Sequence, residues 1–177
     1  MSTTTQEHQI VPAGTWTLDP VHSSIDFEIA YMGGTFRGHF NDVDAHLADG
    51  RLEGSARVAS VQVKDENLEA HLQSPDFFDA ERHPVLRFES SDIERDGDEV
   101  IVRGEIEIKG VTQPVELKGT IGAPTPKGES EVIGVNLETV VDRTEFGVNW
   151  NMQLPDGKPA LARDVELTAT LFLNREA

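Results

Sequence analysis

Residues 165–173 read VELTATLFL, and this stretch decides the fold class. Every second position, from Val165 through Ala169 to Leu173, is apolar, and mostly polar residues fill the positions between them. A period of two is typical of a β-strand with one buried side and one side in water. The same alternation recurs at four other places, residues 24–31, 100–109, 115–121 and 133–138.

Further strands are predicted around residues 16–19, 36–47, 56–63 and 85–93, which gives eight or nine in all. Because the strands carry polar residues on their second side and the chain has too little helix for crossovers, a parallel sheet is excluded. A two-sheet sandwich and a closed antiparallel barrel both remain open. Within residues 36–47, the inward residues fall on even-numbered positions up to Phe40 and on odd-numbered positions from Val43 onward. This parity flip predicts a bulge or a corner in the sheet, since side chains alternate strictly along a strand.

Residues 65–84 interrupt the strand pattern and predict a short helical excursion. Leu68 and Leu72 are one helical turn apart, and Ser74-Pro75-Asp76 is typical of a helix start. We therefore expect a short helix and then a second helical turn carrying Phe77 and Phe78. The two phenylalanines are expected either to plug the barrel or to line an entrance to it, since cores and pockets use the same residue types.

The composition limits the classes of function. The chain has 177 residues, 15 basic against 32 acidic side chains, and no cysteine. One domain is expected, residues 15–177, after a disordered polar tail at residues 1–14. The net charge of −17 argues against nucleic acid as a partner, and the absence of a long apolar run argues against a transmembrane segment. No secretory signal is visible, so we expect a cytoplasmic location.

Motifs that carry chemistry are absent from the sequence. The six histidines show no metal-ligand spacing, and there is no nucleophile elbow or phosphate-binding loop. We therefore predict no metal site, no required cofactor and no catalytic residue. Gly38, Gly104 and Gly119 fall on the inward side of predicted strands, where glycine either permits a bend and close approach or leaves volume in a lumen.

Four ordered segments resemble the YceI-like family. They are residues 16–27 (WTLDPVHSSIDF), 72–90 with Ser74-Pro75-Asp76-Phe77-Phe78 and His83-Pro84, 104–117 (GEIEIKGVTQPVEL), and 142–148 (DRTEFGV). The resemblance covers about residues 15–175. It implies an all-β fold, an extended lipocalin-like antiparallel barrel of about eight strands. It also implies an apolar lumen that binds a polyisoprenoid, such as an isoprenoid quinone, or a similar long-chain amphiphilic lipid, with homodimers and exported members in the family.

On this reading the protein binds, stores or transports such a lipid and is not an enzyme. The residues predicted to line the lumen are Phe27, Ile29, Tyr31, Phe36, Phe77, Phe78, Phe88, Val102, Ile106, Leu117, Val135 and Trp150. His22 and Arg143 are candidates for the lipid head group. The alternative for both is structural, with His22 capping the turn at residues 19–23 and Arg143 pairing with an acid.

Two other classes of function stay open from the sequence. An enzyme acting on a small lipidic substrate would need a polar cluster with shifted pKa values at the cavity, around His22, His83 or Arg143. A protein-interaction module would have a solid core and a large exposed apolar patch.

Overall fold

The computed structural model describes residues 11–176. The first ten residues of the predicted tail lie outside the described residues. Val11 packs against the core, and the Ala13 carbonyl accepts a hydrogen bond of 3.2 Å from Trp16 Nε1. Within the described range, no helix is long and apolar enough to cross a membrane.

The strands account for most of the described chain, as the alternation predicts. Their bounds are β1 Thr15–Leu18, β2 Ser24–Tyr31, β3 Gly34–Phe40, β4 Val43–Ala48, β5 Arg51–Arg57, β6 Val61–Gln62, β7 Val85–Asp96, β8 Glu99–Ile108, β9 Val111–Ile121, β10 Thr125–Lys127, β11 Ser130–Asp142 and β12 Leu161–Arg175. The α-helix is α1, Glu66–Gln73, and short 3-10 helices span Val58–Ser60 and Arg143–Phe146.

The strands form a closed antiparallel barrel, which settles the choice between sandwich and barrel. A run is a set of consecutive strands that together fill one position in the barrel. β1 and β2, which both pair with β12, form the first run. β3 and β4 form the second run, and β5 and β6 form the third. β7, β8, β9 and β11 follow in chain order. β12 pairs with both β11 and the first run, so eight runs close into a ring.

The parity flip after Phe40 is a corner between two strands. β3 ends at Phe40 and β4 begins at Val43, and β3 pairs with β2 whereas β4 pairs with β1. Asn41 and Asp42 are exposed and connect the two. The corner lets both Phe40 and Val43 point inward although their spacing is odd.

The excursion between β6 and β7 is a short helix followed by a turn, as predicted, with Ser74 at the junction of the two. α1 begins after Asp65, whose carboxylate accepts hydrogen bonds from the backbone N–H groups of Asn67 and Leu68. Ser74 is the C-cap of this helix, and its N–H and its hydroxyl both donate to the His71 carbonyl. Its hydroxyl also accepts a hydrogen bond of 3.3 Å from the Asp76 N–H, so Ser74 caps the turn that follows as well. Phe77 and Phe78 lie on a hydrogen-bonded turn after α1, where the second helical turn was predicted.

The barrel interior divides into two clusters along its axis. One is a packed core around Trp16, which includes Leu47, Val102, Val135 and Leu173, all nearly inaccessible to solvent. The other lies toward α1 and gathers aromatic side chains from β2, β3 and the excursion. The first cluster closes one end of the barrel, so any internal space has to lie at the α1 end.

Candidate functional site

The α1 end of the barrel contains a cavity of about 280 Å³. Ligand pockets typically start near 300 Å³, so this volume is close to the smaller ones. The wall is made mainly by apolar side chains that point inward from the strands. Phe88, Ile106 and Leu117 pack against the core clusters and also border this space, and they keep partial exposure although they face the barrel axis.

The structure brings ten of the twelve predicted lining residues to this wall. They are Phe27, Ile29, Tyr31, Phe36, Phe77, Phe78, Phe88, Ile106, Leu117 and Trp150. Their part in binding a ligand stays a prediction.

Val102 and Val135 are not on the cavity wall. Both have 0% relative exposure and belong to the packed core around Trp16. Each lies on the inward side of its strand, as expected, but at the closed end of the barrel. Alternation reveals which side of a strand faces inward and carries no information on depth along the barrel axis.

Aromatic rings from three elements meet on one side of the cavity. The Phe27 ring lies 5.8 Å from Phe40 and 6.5 Å from Phe78, measured between centroids, and Phe40 lies 5.7 Å from Phe78. Such tilted and edge-on pairs add stability beyond the area that they bury. The turn that follows α1 is thus packed onto β2 and β3.

A second aromatic group ties α1 to the loop that precedes β12. The His71 ring stands edge-on to both Phe77 and Trp150, with centroids 4.9 Å apart in each case. His71 Nε2 also lies 3.0 Å from Asp76 Oδ2. Lys109 Nζ donates to the Pro75 carbonyl at 2.6 Å, which holds the same turn from β8's end. This group forms the cover over the cavity.

His71 lines the cavity although it is not among the residues predicted from the sequence. Its position three residues after Leu68 and one before Leu72 places it on the inward face of α1, so helical periodicity was the available signal. The partnership with Trp150 joins residues far apart in the chain, which no local pattern reveals.

Arg143 lines the cavity and is buried, and its hydrogen bonds fit the structural alternative. The guanidinium donates to four main-chain carbonyls, those of Val148, Trp150, Leu161 and Ala162, at 2.7–3.4 Å. The expected pairing with an acid is replaced by these bonds. Removal from water lowers the pKa of Arg143. The side chain therefore fixes both ends of the cover loop between the 3-10 helix and β12.

His22 lies away from the cavity wall. Its Nδ1 is 2.7 Å from Asp19 Oδ2 in the turn between β1 and β2, and its side chain is mostly exposed. The hydrogen bond from His22 is the main reason that the pKa of Asp19 is lowered. The position fits the capping role rather than head-group contact.

The inward glycines allow close packing, against backbone at Gly104 and Gly119 and against side chains at Gly38. A side chain on Gly104 would collide with the Glu89 carbonyl oxygen, and one on Gly119 with that of Asn136. At Gly38 the collision would be with the Phe27 ring and with Val63. None of the three leaves open volume in the lumen. Among residues 11–176, no group of three or more potential ligands could hold a metal ion.

Known proteins share both the sequence pattern and the fold of this chain. The family model described as YceI-like domain matches residues 16–173. UPF0312 protein SA2479 of Staphylococcus aureus (strain N315) is 29% identical over 167 residues, covering 88% of this chain and 94% of that protein.

Solved structures share the fold. BcnA of Burkholderia cenocepacia has a TM-score of 0.72 at 22% identity, covering 88% of this chain and 98% of that one. The YCEI protein of Campylobacter jejuni has a TM-score of 0.68 at 25% identity, covering 79% and 85%. A polyisoprenoid binding domain from Saccharophagus degradans has a TM-score of 0.69 at 12% identity, covering 91% and 98%.

Proposed function

We propose that this chain, which belongs to the YceI-like family, binds a polyisoprenoid or a similar long-chain amphiphilic lipid in the lumen of its barrel. The observation that carries the proposal is the apolar cavity at the α1 end, where inward side chains stay partly exposed. An internal apolar wall with no protein atoms against it favours an apolar occupant. The printed name of the Saccharophagus domain, which shares the fold, supports the same ligand class.

The free energy of burial indicates how long the chain of such a ligand must be. Each buried methylene-like carbon contributes roughly 0.8 kcal/mol, so about ten carbons give ~8 kcal/mol before any cost is subtracted. Loss of translational, rotational and internal freedom costs ~4–15 kcal/mol. A short tail therefore binds weakly, and stable binding requires a longer one. Storage or transport of the lipid is the role that we propose for such binding, without catalysis.

The site chemistry supports binding over the alternatives. Arg143, the candidate catalytic group on the wall, has its donors engaged by main-chain carbonyls. His22 is on the outside, and His83 is not among the lining residues. An interaction module requires a solid core, whereas this barrel has a cavity at one end. A cytoplasmic location and a homodimer stay predictions.

A chain-length series tests the proposal. Prenol, geraniol, farnesol and geranylgeraniol share one head group and lengthen by one isoprene unit each. We measure their displacement of the apolar fluorophore phenylnaphthylamine from the purified protein. Affinity is expected to rise at least tenfold per added unit, since five buried carbons give up to ~4 kcal/mol, until the lumen is full. Affinity that does not depend on length, or no displacement by any alcohol, would contradict the proposal.

A further inference from the structure

The barrel wall opens between β9 and β11. The ladder between them pairs residues 118–121 with residues 135–138 and then stops. β8 pairs with β9 along its whole length, and β12 pairs with β11 as far as Asp142. Within residues 11–176, no register joins residues 111–117 to residues 139–142. The two strands therefore diverge toward the α1 end of the barrel.

This opening is framed on all four sides, and we call it the window. Its floor is the last ladder pair, Lys118 and Glu138. Its sides are residues 113–117 of β9 and residues 139–142 of β11. Its upper edge is the 3-10 helix Arg143–Phe146, which Gln113 Nε2 reaches through a hydrogen bond of 3.2 Å to the Glu145 carbonyl.

The window lies between the outside of the barrel and the lumen. A polar groove of about 590 Å³, open to solvent, lies on its outer side. Thr139, Val141, Phe146 and Thr168 line both this groove and the apolar cavity. Because the same four residues border both spaces, only their own thickness separates the groove from the lumen.

We propose that the window is a side entrance to the lumen, where the polar end of an amphiphile that is uncharged or cationic lies while its tail fills the cavity. This inference rests on the function proposed above. Thr139 follows Leu137 on the inward side of β11, so a hydroxyl borders the passage where apolar wall gives way to groove. Val140 is 56% exposed at the outer lip and offers an apolar contact to an arriving chain.

The charge around the window sets the class of polar end. Five carboxylates and one lysine line the groove, namely Glu116, Glu138, Asp142, Glu145, Glu166 and Lys118. Arg103 pairs with Glu116 at 2.8 Å and Arg163 with Asp142 at 3.5 Å, and the groove stays net negative with both arginines counted. A phosphate placed there would meet a net like charge, whereas an alcohol or an amine would not. The charge of the groove thus favours an uncharged or cationic polar end, and the apolar wall of the lumen favours the tail.

Site-specific blocking tests the entrance. The chain has no cysteine, so one introduced cysteine is the only thiol. Val140→Cys lies at the window, and Phe172→Cys, also an exposed apolar position, lies on the outer side of β12, away from it. Each variant is measured before and after modification with a bulky polyethylene-glycol maleimide. The farnesol uptake rate is expected to fall at least tenfold on modification at position 140 and to stay within twofold at position 172. Equal rates after modification at the two positions would overturn the entrance.

Three farnesyl compounds test the polar end. Farnesylamine, farnesol and farnesyl phosphate have the same tail, and each is titrated against the unmodified protein. At low salt the phosphate is expected to bind at least threefold more weakly than the alcohol, with the difference shrinking at high salt because screening weakens the repulsion. Phosphate binding as tight as that of the alcohol would overturn the assignment. If none of the three binds, the proposed function fails together with the window; if all bind and blocking has no effect, only the window fails.

Discussion

Filling the lumen with one side chain should abolish lipid binding without unfolding the barrel. Ala169 lies on the inward side of β12, lines the cavity and keeps partial exposure to it. Ala169→Phe places a phenyl ring where about six chain carbons of a ligand would lie, which is ~5 kcal/mol of gross burial. A chain can partly rearrange around the ring, so we expect farnesol to bind at least a hundredfold more weakly, about 3 kcal/mol.

The matched control is the same substitution on the outside. Ala30 is exposed on the outer side of β2, so Ala30→Phe adds the same ring without entering the lumen. Fluorophore displacement gives the affinities, and urea denaturation gives the free energy of unfolding. Since the ring of Ala169→Phe enters open space, its unfolding free energy should stay within ~1 kcal/mol of wild type, whereas overpacking a filled core costs ~1–3 kcal/mol. If Ala169→Phe is folded and binds farnesol within threefold of Ala30→Phe, the lumen is not the binding site.

Three further substitutions test the structural part of the account. Gly119→Ala drives a methyl group into the Asn136 carbonyl and should lower the free energy of unfolding in urea by at least ~2 kcal/mol. The control Gly134→Ala, with nothing within 4 Å of the added methyl group, should lower it by less than ~1 kcal/mol. Equal losses for the two variants would contradict the close approach at Gly119. Arg143→Lys loses most of the hydrogen bonds to carbonyls, so its free energy of unfolding should fall by ~2–4 kcal/mol and its cover loop should be cleaved faster by protease. If the variant resists protease as well as the wild type does, Arg143 does not position the loop. The folded-state pKa of Asp19 is lowered, so its contribution to stability is present above the unfolded-state pKa of about 3.9 and is lost as pH falls through the folded-state value. Asp19→Asn should therefore flatten the acid limb of the stability–pH curve, and an unchanged limb would refute this.

The sequence predicts the wall of the barrel well because strand alternation is a local property. Phe27 and Ile29 point inward for the same reason as Leu171 and Leu173, and every one of them is buried. The choice of a barrel over a sandwich came from the resemblance to the family, because alternation is the same in both.

Depth and long-range contacts could not be predicted in this way. Val102 shares the inward side of β8 with Ile106, yet it belongs to the solid core while Ile106 borders the cavity. Head-group contact and pairing with an acid were the two alternatives for Arg143, and the chain folds four carbonyls around it instead. The window depends on where two strands diverge, which is a property of barrel geometry rather than of either strand.

Mass spectrometry of the purified protein tests the central claim most directly. The intact protein is measured under native conditions, and its organic extract is analysed separately, with Ala169→Phe prepared in parallel. The account predicts a stoichiometric extra mass on the wild type, an isoprenoid or other long-chain amphiphile in the extract, and neither on the variant. If the wild type carries no such mass and takes up none of the isoprenoid alcohols when they are added, the claim that the lumen binds lipid is contradicted.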